Sequence, residues 1–344
     1  ANIYGDLIKC QAVDLTAVQK VPDDIDALVI LNPTGTFNDT AKFAIDQFLM
    51  RGKGVAWMQT TMGPDERMPQ LPIRKPVTTG LEDMFTGYGL TLNQDVVLDR
   101  RNNIVSLLLT DRGLAQISNP SMPIFSDINA EHVITRNVPT MAFPLASSIA
   151  LEPSVLANEA LVVTELIKSE PEASVRKNVT TLDYDSIAEP SEDEVQEAVP
   201  VAVALLGPIP SFFSDKAKPQ AAPSSNPAEA FSADYATVKT APEGARIVLV
   251  SSGEFMFPNQ RTGFSRQYSG LGALFLLNTI DWLVQDEELI TIRAKGIPSV
   301  LEGVEPEEHA AYQFTNAVGV PVVFVLFGVG LWFWRRERRR SLTL

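Results

Sequence analysis

The chain has 344 residues, enough for one large or two ordinary domains, and 45% of them are hydrophobic, so a substantial core is expected. Its formal net charge is −14, and because residues 335–340 contain five arginines, the rest of the chain is more acidic still. This charge argues against binding nucleic acid, or an anionic membrane face, through a broad basic surface.

A strand–helix–strand unit is predicted near the start of the chain. Residues 26–31 form a short continuous apolar run that ends at an Asn-Pro turn, as a buried strand does. A helix is predicted over 39–50, capped by Asn38 or Asp39. Residues 55–58 then predict a second buried strand. A unit of this length predicts parallel pairing with a right-handed crossover.

The middle of the chain predicts strands separated by polar and proline-rich segments. Two of these segments have little to bury and are predicted to be mobile loops, an acidic one at 185–198 and a Pro/Ala/Ser-rich one at 214–230. The other predictions are a loop at 60–77, a short helix at 81–88, a strand at 95–98, short apolar pieces broken by prolines at 117–150, and strands at 160–166 and 199–206.

The end of this body predicts a buried strand at 246–250, an apolar helix at 271–284, a short strand at 288–293 and a linker at 296–309. Taken together, the elements predict an α/β body over residues 1–310, built on a parallel sheet with helices between the strands. This pattern resembles flavodoxin-like and class I glutamine-amidotransferase-like domains. The sequence starts at Ala1 with neither Met nor an apolar signal region, so either a segment was cleaved off or the sequence is a piece of a longer protein. We expect the second, because residues 2–13 resemble the approach to a strand and not the start of a domain.

The C-terminal segment has the length and composition of a membrane anchor. Residues 317–334 carry no charge, and at ~1.5 Å per residue this run is about the minimum that crosses a bilayer as a helix. A buried core helix is the alternative, but core helices seldom lack polar residues all round. We predict one transmembrane helix over 311–334 and a basic cytoplasmic tail over 335–344. The residues assigned to the anchor are Pro321, Gly328, Trp332, Trp334, Arg335 and Arg336.

Motifs for catalysis and nucleotide binding are absent from the sequence. Thiol catalysis needs an activated cysteine and a histidine base, but Cys10 precedes the first predicted strand, and neither His132 nor His309 lies in a triad setting. No G-x-S-x-G and no phosphate loop occur, so we expect no enzyme activity and no ATP hydrolysis by this chain. Isolated histidines give no metal-ligand spacing, so no metal and no cofactor are predicted.

Some carboxylates and turn residues are nevertheless candidates for binding. A hard cation could bind at Asp95, Asp99, Glu254 or Asp281, although surface or capping roles are the simpler interpretation. In open parallel sheets, ligands bind beyond the carboxyl ends of the strands. The residues predicted at that edge, which would also be ordinary as turn residues, are Asn32, Thr34, Gln59, Thr60, Ser251, Ser252 and Glu254.

With these residues assembled, the chain resembles the auxiliary, extracytoplasmic component of GldG-type ABC transporters, the gliding-motility-associated group. The resemblance implies a non-catalytic accessory subunit with two partners, a permease in the membrane and an ATP-binding subunit in the cytoplasm. It also implies a bacterial inner membrane location with the body in the periplasm or outside. The stretches that carry the resemblance are 24–33 with 44–52, 201–207 with 210–212, 246–255 with 278–283 and 289–295, and 316–340.

Two other functions stay open from the sequence. The first is a self-standing anchored module that binds a polysaccharide or a lipid at the strand-end crevice. The second is a degenerate hydrolase, which would depend on Cys10. The sequence favours the transporter subunit over both, because the resembling stretches follow one another in order along nearly the whole chain.

Overall fold

The computed structural model describes residues 8–15, 20–65, 67, 72–110, 113–153, 157–219, 236–257, 266–284, 329 and 332. The chain divides into two compact units, Ala1–Ala294 and Lys295–Leu344. In chain order the elements are β1 (Ala27–Leu31), α1 (Asp39–Met50), β2 (Gly54–Met58), β3 (Met62–Pro64), β4 (Arg74–Pro76), α2 (Glu82–Gly87), β5 (Leu90–Leu92), β6 (Val96–Leu98), β7 (Asn103–Thr110), β8 (Gly113–Phe125), β9 (Asp127–Ile128), β10 (Met141–Ala142), β11 (Ile149–Leu151), β12 (Val162–Lys168), β13 (Ser174–Arg176), α3 (Tyr184–Ala188), β14 (Glu194–Gln196), β15 (Pro200–Leu206), β16 (Arg246–Val250) and α4 (Arg266–Leu283).

The predicted strand–helix–strand unit is present at the start of the body. β1 pairs in parallel with β2, with Ala27 opposite Gly54. Asn38 caps α1, because its side-chain oxygen accepts a hydrogen bond from the backbone N–H of Ala41 at 2.8 Å and so satisfies a donor of the first turn. After the helix, Gly52 adopts a φ of 84°, which glycine does without steric cost. The parallel pairing and the cap are therefore confirmed.

A six-stranded sheet, in the order β1-β2-β16-β15-β12-β9, forms the centre of the body. β1, β2 and β16 run parallel, whereas β15, β12 and β9 are each antiparallel to the strand before them in that order. The α/β class is confirmed, but the prediction of a parallel sheet is wrong for these last three strands. The error arises because a continuous apolar run indicates that a strand is buried on both faces but does not indicate its direction. The flavodoxin-like or amidotransferase-like character stays a prediction.

Both faces of the central sheet are covered by apolar side chains. Successive residues of a strand point to opposite faces, so Trp57 and Met58 of β2 belong to different clusters. Trp57 lies on the face that packs against α1 and α2, where its ring centroid is 4.5 Å from that of Phe85. Met58 lies on the other face, where Phe275 and Trp282 of α4 join the core. The sheet is thus fixed between two layers, which holds the ends of its strands in place.

Strands occur in the segment predicted as a loop and in the segment predicted as short apolar pieces broken by prolines. Residues 60–77, predicted as a loop, contain the antiparallel pair β3–β4. The proline-broken stretch 117–150 contains β9, β10 and most of both β11 and β8, and β8 continues through Pro120 and Pro123. The β7–β8 register shifts just after Asn103, which lies opposite Pro123, and prolines are tolerated at such irregularities. The prolines therefore mark a bulge and do not end the strand.

Several predictions concern residues that the structure does not describe. In the second unit the described residues are Val329 and Trp332, and both are helical and exposed. Within the described part of the chain, no helix has both the length and the apolar character needed to cross a bilayer. The predictions outside it are most of the loop at 214–230, the strand at 288–293, the linker at 296–309, the anchor helix at 311–334 apart from those two residues, and the tail at 335–344.

The acidic segment at 185–198 is not a solvated loop throughout, because it contains β14 and most of α3. The Glu194 side chain is only 3% exposed, and its carboxylate accepts hydrogen bonds from Arg176 at 2.6 Å, Arg100 at 2.8 Å and Ser174 at 2.6 Å. Burial acts to raise the pKa of Glu194, but the hydrogen bonds from the two arginines and the serine outweigh it and lower the pKa to about 2. The loop prediction is wrong here because arginines distant in sequence match the charge.

We expect Glu194→Gln to lower the free energy of unfolding by about 3 kcal/mol, since it leaves two arginines without their counter-charge. The ionised Glu194 stabilises the fold fully above its usual pKa of about 4.5, and this contribution is lost as the pH falls toward about 2. Urea unfolding of the wild type and the variant at pH 7 and pH 3 measures both effects. The exposed Glu192→Gln is the matched control, and equal unfolding curves for the two variants at pH 7 would contradict the prediction.

Candidate functional site

Asn32 follows β1 and ties its end to the end of β2. Its φ of 43° lies in the left-handed region, which asparagine tolerates better than most residues. In this conformation its backbone N–H donates to the Met58 carbonyl at 2.7 Å, and its side-chain oxygen accepts from the Thr60 N–H at 3.1 Å. A single residue therefore holds the turns after both strands in place.

Gly253 brings the end of β16 to the same point. Its N–H donates to Thr60 Oγ1 at 3.0 Å. A Cβ atom on Gly253 would lie only 2.4 Å from the Cβ of Asn32, so no larger residue fits without moving one of the turns. The three parallel strands consequently end side by side, which is where open α/β sheets bind ligands.

Gln59 lies at the base of this strand-end region and is 1% exposed. Its backbone N–H donates to the Val250 carbonyl at 3.0 Å, and its side-chain Nε2 donates to the Thr60 carbonyl at 2.7 Å. No described residue donates to its Oε1 atom. Buried polar atoms normally have partners, so this acceptor is a feature that requires an explanation.

Glu254 and Arg74 form the charged part of the region. Burial raises the pKa of the Glu254 carboxyl, and the positive charge of Arg74 offsets this only in part. Burial likewise lowers the pKa of Arg74, against the opposing influence of Glu254. In the part of the chain that the structure describes, Arg74 Nε has no hydrogen-bond partner. Both groups are thus held partly desolvated beside the strand ends.

The β3–β4 pair lies opposite the strand ends and forms a wall that faces them. Lys75 on β4 binds Asp65, with Nζ 2.8 Å from the carboxylate, and the Lys75 side chain is 53% exposed. Hydrogen bonds from Lys75 and from the backbone N–H of Arg67 lower the pKa of Asp65. The positive charge of Lys75 and the negative charge of Asp65 neutralise each other at the edge of this wall, so neither residue contributes an uncompensated charge to the space between the wall and the strand ends.

A cleft of about 510 Å³ lies between the strand ends and this wall. Asn32, Thr34, Gln59, Thr60 and Glu254 all line it, so five of the seven predicted residues share one concave surface. The wall adds Asp65, Arg67 and Lys75, which were not predicted as site residues because their segment has the composition of a loop. Volumes of about 300–1,000 Å³ are typical of small-molecule sites.

Ser251 and Ser252 do not line the cleft. Both are fully buried, and Ser252 Oγ donates to the Pro144 carbonyl at 2.7 Å. The Ser251 backbone N–H donates to the Val201 carbonyl at 2.9 Å. These serines therefore continue the packing below the strand end, and the chain turns toward the cleft only at Glu254.

The other candidate carboxylates have local partners. Asp95 accepts from the N–H and Oγ of Ser148, at 2.8 and 2.5 Å. Asp99 accepts from the N–H groups of Arg101 and Asn102, both at 2.8 Å. Asp99 thus closes a turn, and Asp95 joins two segments that are distant in sequence; both are buried, so the interpretation as surface or capping carboxylates is wrong for them. Asp281 is buried in α4, and the described residues contain no group of three or more possible metal ligands.

The remaining reactive residues lie elsewhere. Cys10 is exposed in a segment without regular structure. The His132 ring packs edge-on against Trp282, with centroids 5.3 Å apart. Neither residue lines the cleft. The cleft side chains that the structure describes are amides, hydroxyls and ion-forming groups, which suit binding through hydrogen bonds.

The fold and the cleft together define an α/β protein with a polar cleft at the ends of three parallel strands. The family model of the "ABC-type uncharacterized transport system" matches residues 5–279, and the chain belongs to this family. Membership implies an accessory role in an ABC transporter. The resemblance stated from the sequence is confirmed at this level, while the GldG-type subgroup stays a prediction.

No curated protein matches the chain. Solved structures match it with low TM-scores, and two of them are named here. The "mmIFT52 N-terminal domain" is 11% identical with a TM-score of 0.39, and the match covers 76% of this chain and 78% of that one. A putative ThuA-like protein from Bacteroides uniformis is 11% identical with a TM-score of 0.35, and the match covers 79% and 75%. Similarities this low carry no argument about function.

We expect Gly253→Ala to lower the free energy of unfolding by about 1–3 kcal/mol, because the added Cβ overlaps the Asn32 side chain. Gly270→Ala is the matched control. Gly270 lies in α4 with nothing within 4 Å of an added Cβ, so alanine there should stabilise the helix by about 0.5–1 kcal/mol. Thermal or urea unfolding of both variants measures the difference. Equal changes in the free energy of unfolding of the two variants would show that the strand ends are not closely packed.

Proposed function

We propose that this chain is a non-catalytic, membrane-anchored accessory subunit of an ABC transporter, whose cleft contacts the transported substrate or a partner protein. The observation that carries the proposal is the convergence of Asn32, Thr34, Gln59, Thr60 and Glu254 on one cleft in a member of a transport family. Because the chain lacks a phosphate loop, ATP would be hydrolysed by a separate subunit.

The anchor is the segment predicted at 311–334, with the body in the periplasm or outside and the tail in the cytoplasm. Its charge-free run and the arginines after it support this arrangement. Gly328 would allow a helix of the permease to approach closely, and Trp332 and Trp334 would lie at the membrane interface. The permease would thereby connect the body to the ATP-binding subunit on the cytoplasmic side. An arrangement of the gliding-motility type fits this proposal.

The experiment is affinity purification of the tagged full-length protein in mild detergent, with mass spectrometry of the proteins recovered. We expect a multi-helix permease and an ABC ATPase in amounts comparable to the tagged chain. Gly328→Leu should reduce recovery of both, because the larger side chain prevents close helix packing. Val329→Leu, one position further along the predicted helix, is the matched control and should leave recovery unchanged.

Recovery of the tagged chain alone, from cells that contain normal amounts of both transporter subunits, would contradict the proposal. The cleft would then favour the second function, a self-standing anchored module that binds a polysaccharide or a lipid. Binding of such a ligand without any transporter subunit would be the measurement in its favour.

A further inference from the structure

The base of the cleft presents two hydrogen-bond acceptors that the described protein does not use. The first is Gln59 Oε1, which is buried and receives no hydrogen bond from the described residues. The second is the carboxylate of Glu254, a half-buried residue that lies near the charge of Arg74 and receives no hydrogen bond on its carboxylate from the described residues. A buried acceptor without a donor is costly, so a ligand that supplies donors would be stabilised at this place.

The orientation of the Gln59 amide is determined by its surroundings. Nε2 donates to the Thr60 carbonyl at 2.7 Å. Rotating the amide by half a turn would place its oxygen against that carbonyl oxygen, which would bring two acceptors together. The acceptor therefore stays on the side away from Thr60, and the backbone hydrogen bond from Gln59 to Val250 keeps the residue at the end of β2.

The charges around the cleft favour a neutral ligand. The Glu254 carboxylate already interacts with the partly buried Arg74, so a ligand cation would leave an excess of positive charge there. A ligand anion would be repelled by Glu254. At the rim, Lys75 and Asp65 are 2.8 Å apart and neutralise each other, and the other charged residue there, Arg67, is exposed, so solvent screens its charge. The complementary group is thus an uncharged donor, and a hydroxyl is both neutral and able to donate.

We infer that the cleft binds a neutral polyhydroxyl ligand, such as an uncharged sugar residue, whose adjacent hydroxyls donate to Glu254 and Gln59. The inference rests on the proposed function, in which this cleft contacts the substrate, and it names the chemical class of that substrate. The Thr34 and Thr60 hydroxyls and the Asn32 amide line the same cleft and supply further polar partners for a ring with several hydroxyls. The cleft volume of about 510 Å³ accommodates a ligand of this size.

The test is ligand-observed NMR on the full-length protein, purified in a detergent without a sugar headgroup. The probes are three neutral hexoses (glucose, galactose and mannose), the cationic glucosamine and the anionic glucuronate. We expect at least one neutral hexose to bind more tightly than both charged sugars. Glu254→Gln should weaken that binding by about tenfold or more, since it removes a charged acceptor. The exposed Glu243→Gln should leave it unchanged.

A second variant keeps the test decisive if Glu254→Gln does not fold. Gln59→Met retains the volume of the side chain but removes the acceptor, so it should also weaken hexose binding. The inference is overturned if no neutral hexose binds, if a charged sugar binds more tightly, or if the folded variants bind as the wild type does. Co-recovery of the transporter subunits is scored on the same preparations. Subunits without sugar binding overturn this inference alone, whereas sugar binding without subunits overturns the proposed function alone.

Discussion

The close approach of three strand ends is the constraint on which the site depends. Asn32 bonds to the turn after β2, and Thr60 in that turn accepts from Gly253 after β16. Each contact needs a particular residue type: an amide that tolerates a left-handed conformation, a hydroxyl, and a residue without a Cβ. The turns are thereby held at fixed positions, and the side chains next to them in sequence point into one cleft.

Burial of charge has opposite consequences at two places in this body. Glu194 is surrounded by donors from Arg100, Arg176 and Ser174, and its pKa falls to about 2 although it is buried. Glu254 has Arg74 as a neighbour but receives no such set of donors from the described residues, so its pKa is raised. The first arrangement is typical of a structural ion pair. The second leaves an acceptor available and is typical of a binding or functional site.

The accessory role that family membership implies agrees with the character of the cleft. Amides, hydroxyls and charged groups that can form hydrogen bonds line the cleft, and the exposed Cys10 and the packed His132 lie outside it. The turns that form the cleft are held on a rigid scaffold. The central sheet, packed on both faces, supplies that rigidity, because its strand ends cannot shift without disturbing two apolar layers.

The sequence by itself determined the first strand–helix–strand unit, the cap at Asn38 and the α/β class, since these follow from local apolar runs and turn chemistry. It also located five cleft residues, because the ends of parallel strands must meet at one edge. Only the tertiary structure decided the direction of β15, β12 and β9, the burial of Glu194, and the addition of Lys75 and Asp65 to the cleft. Each of these depends on contacts between residues far apart in the chain, and apolar periodicity carries no information about which distant segments pair.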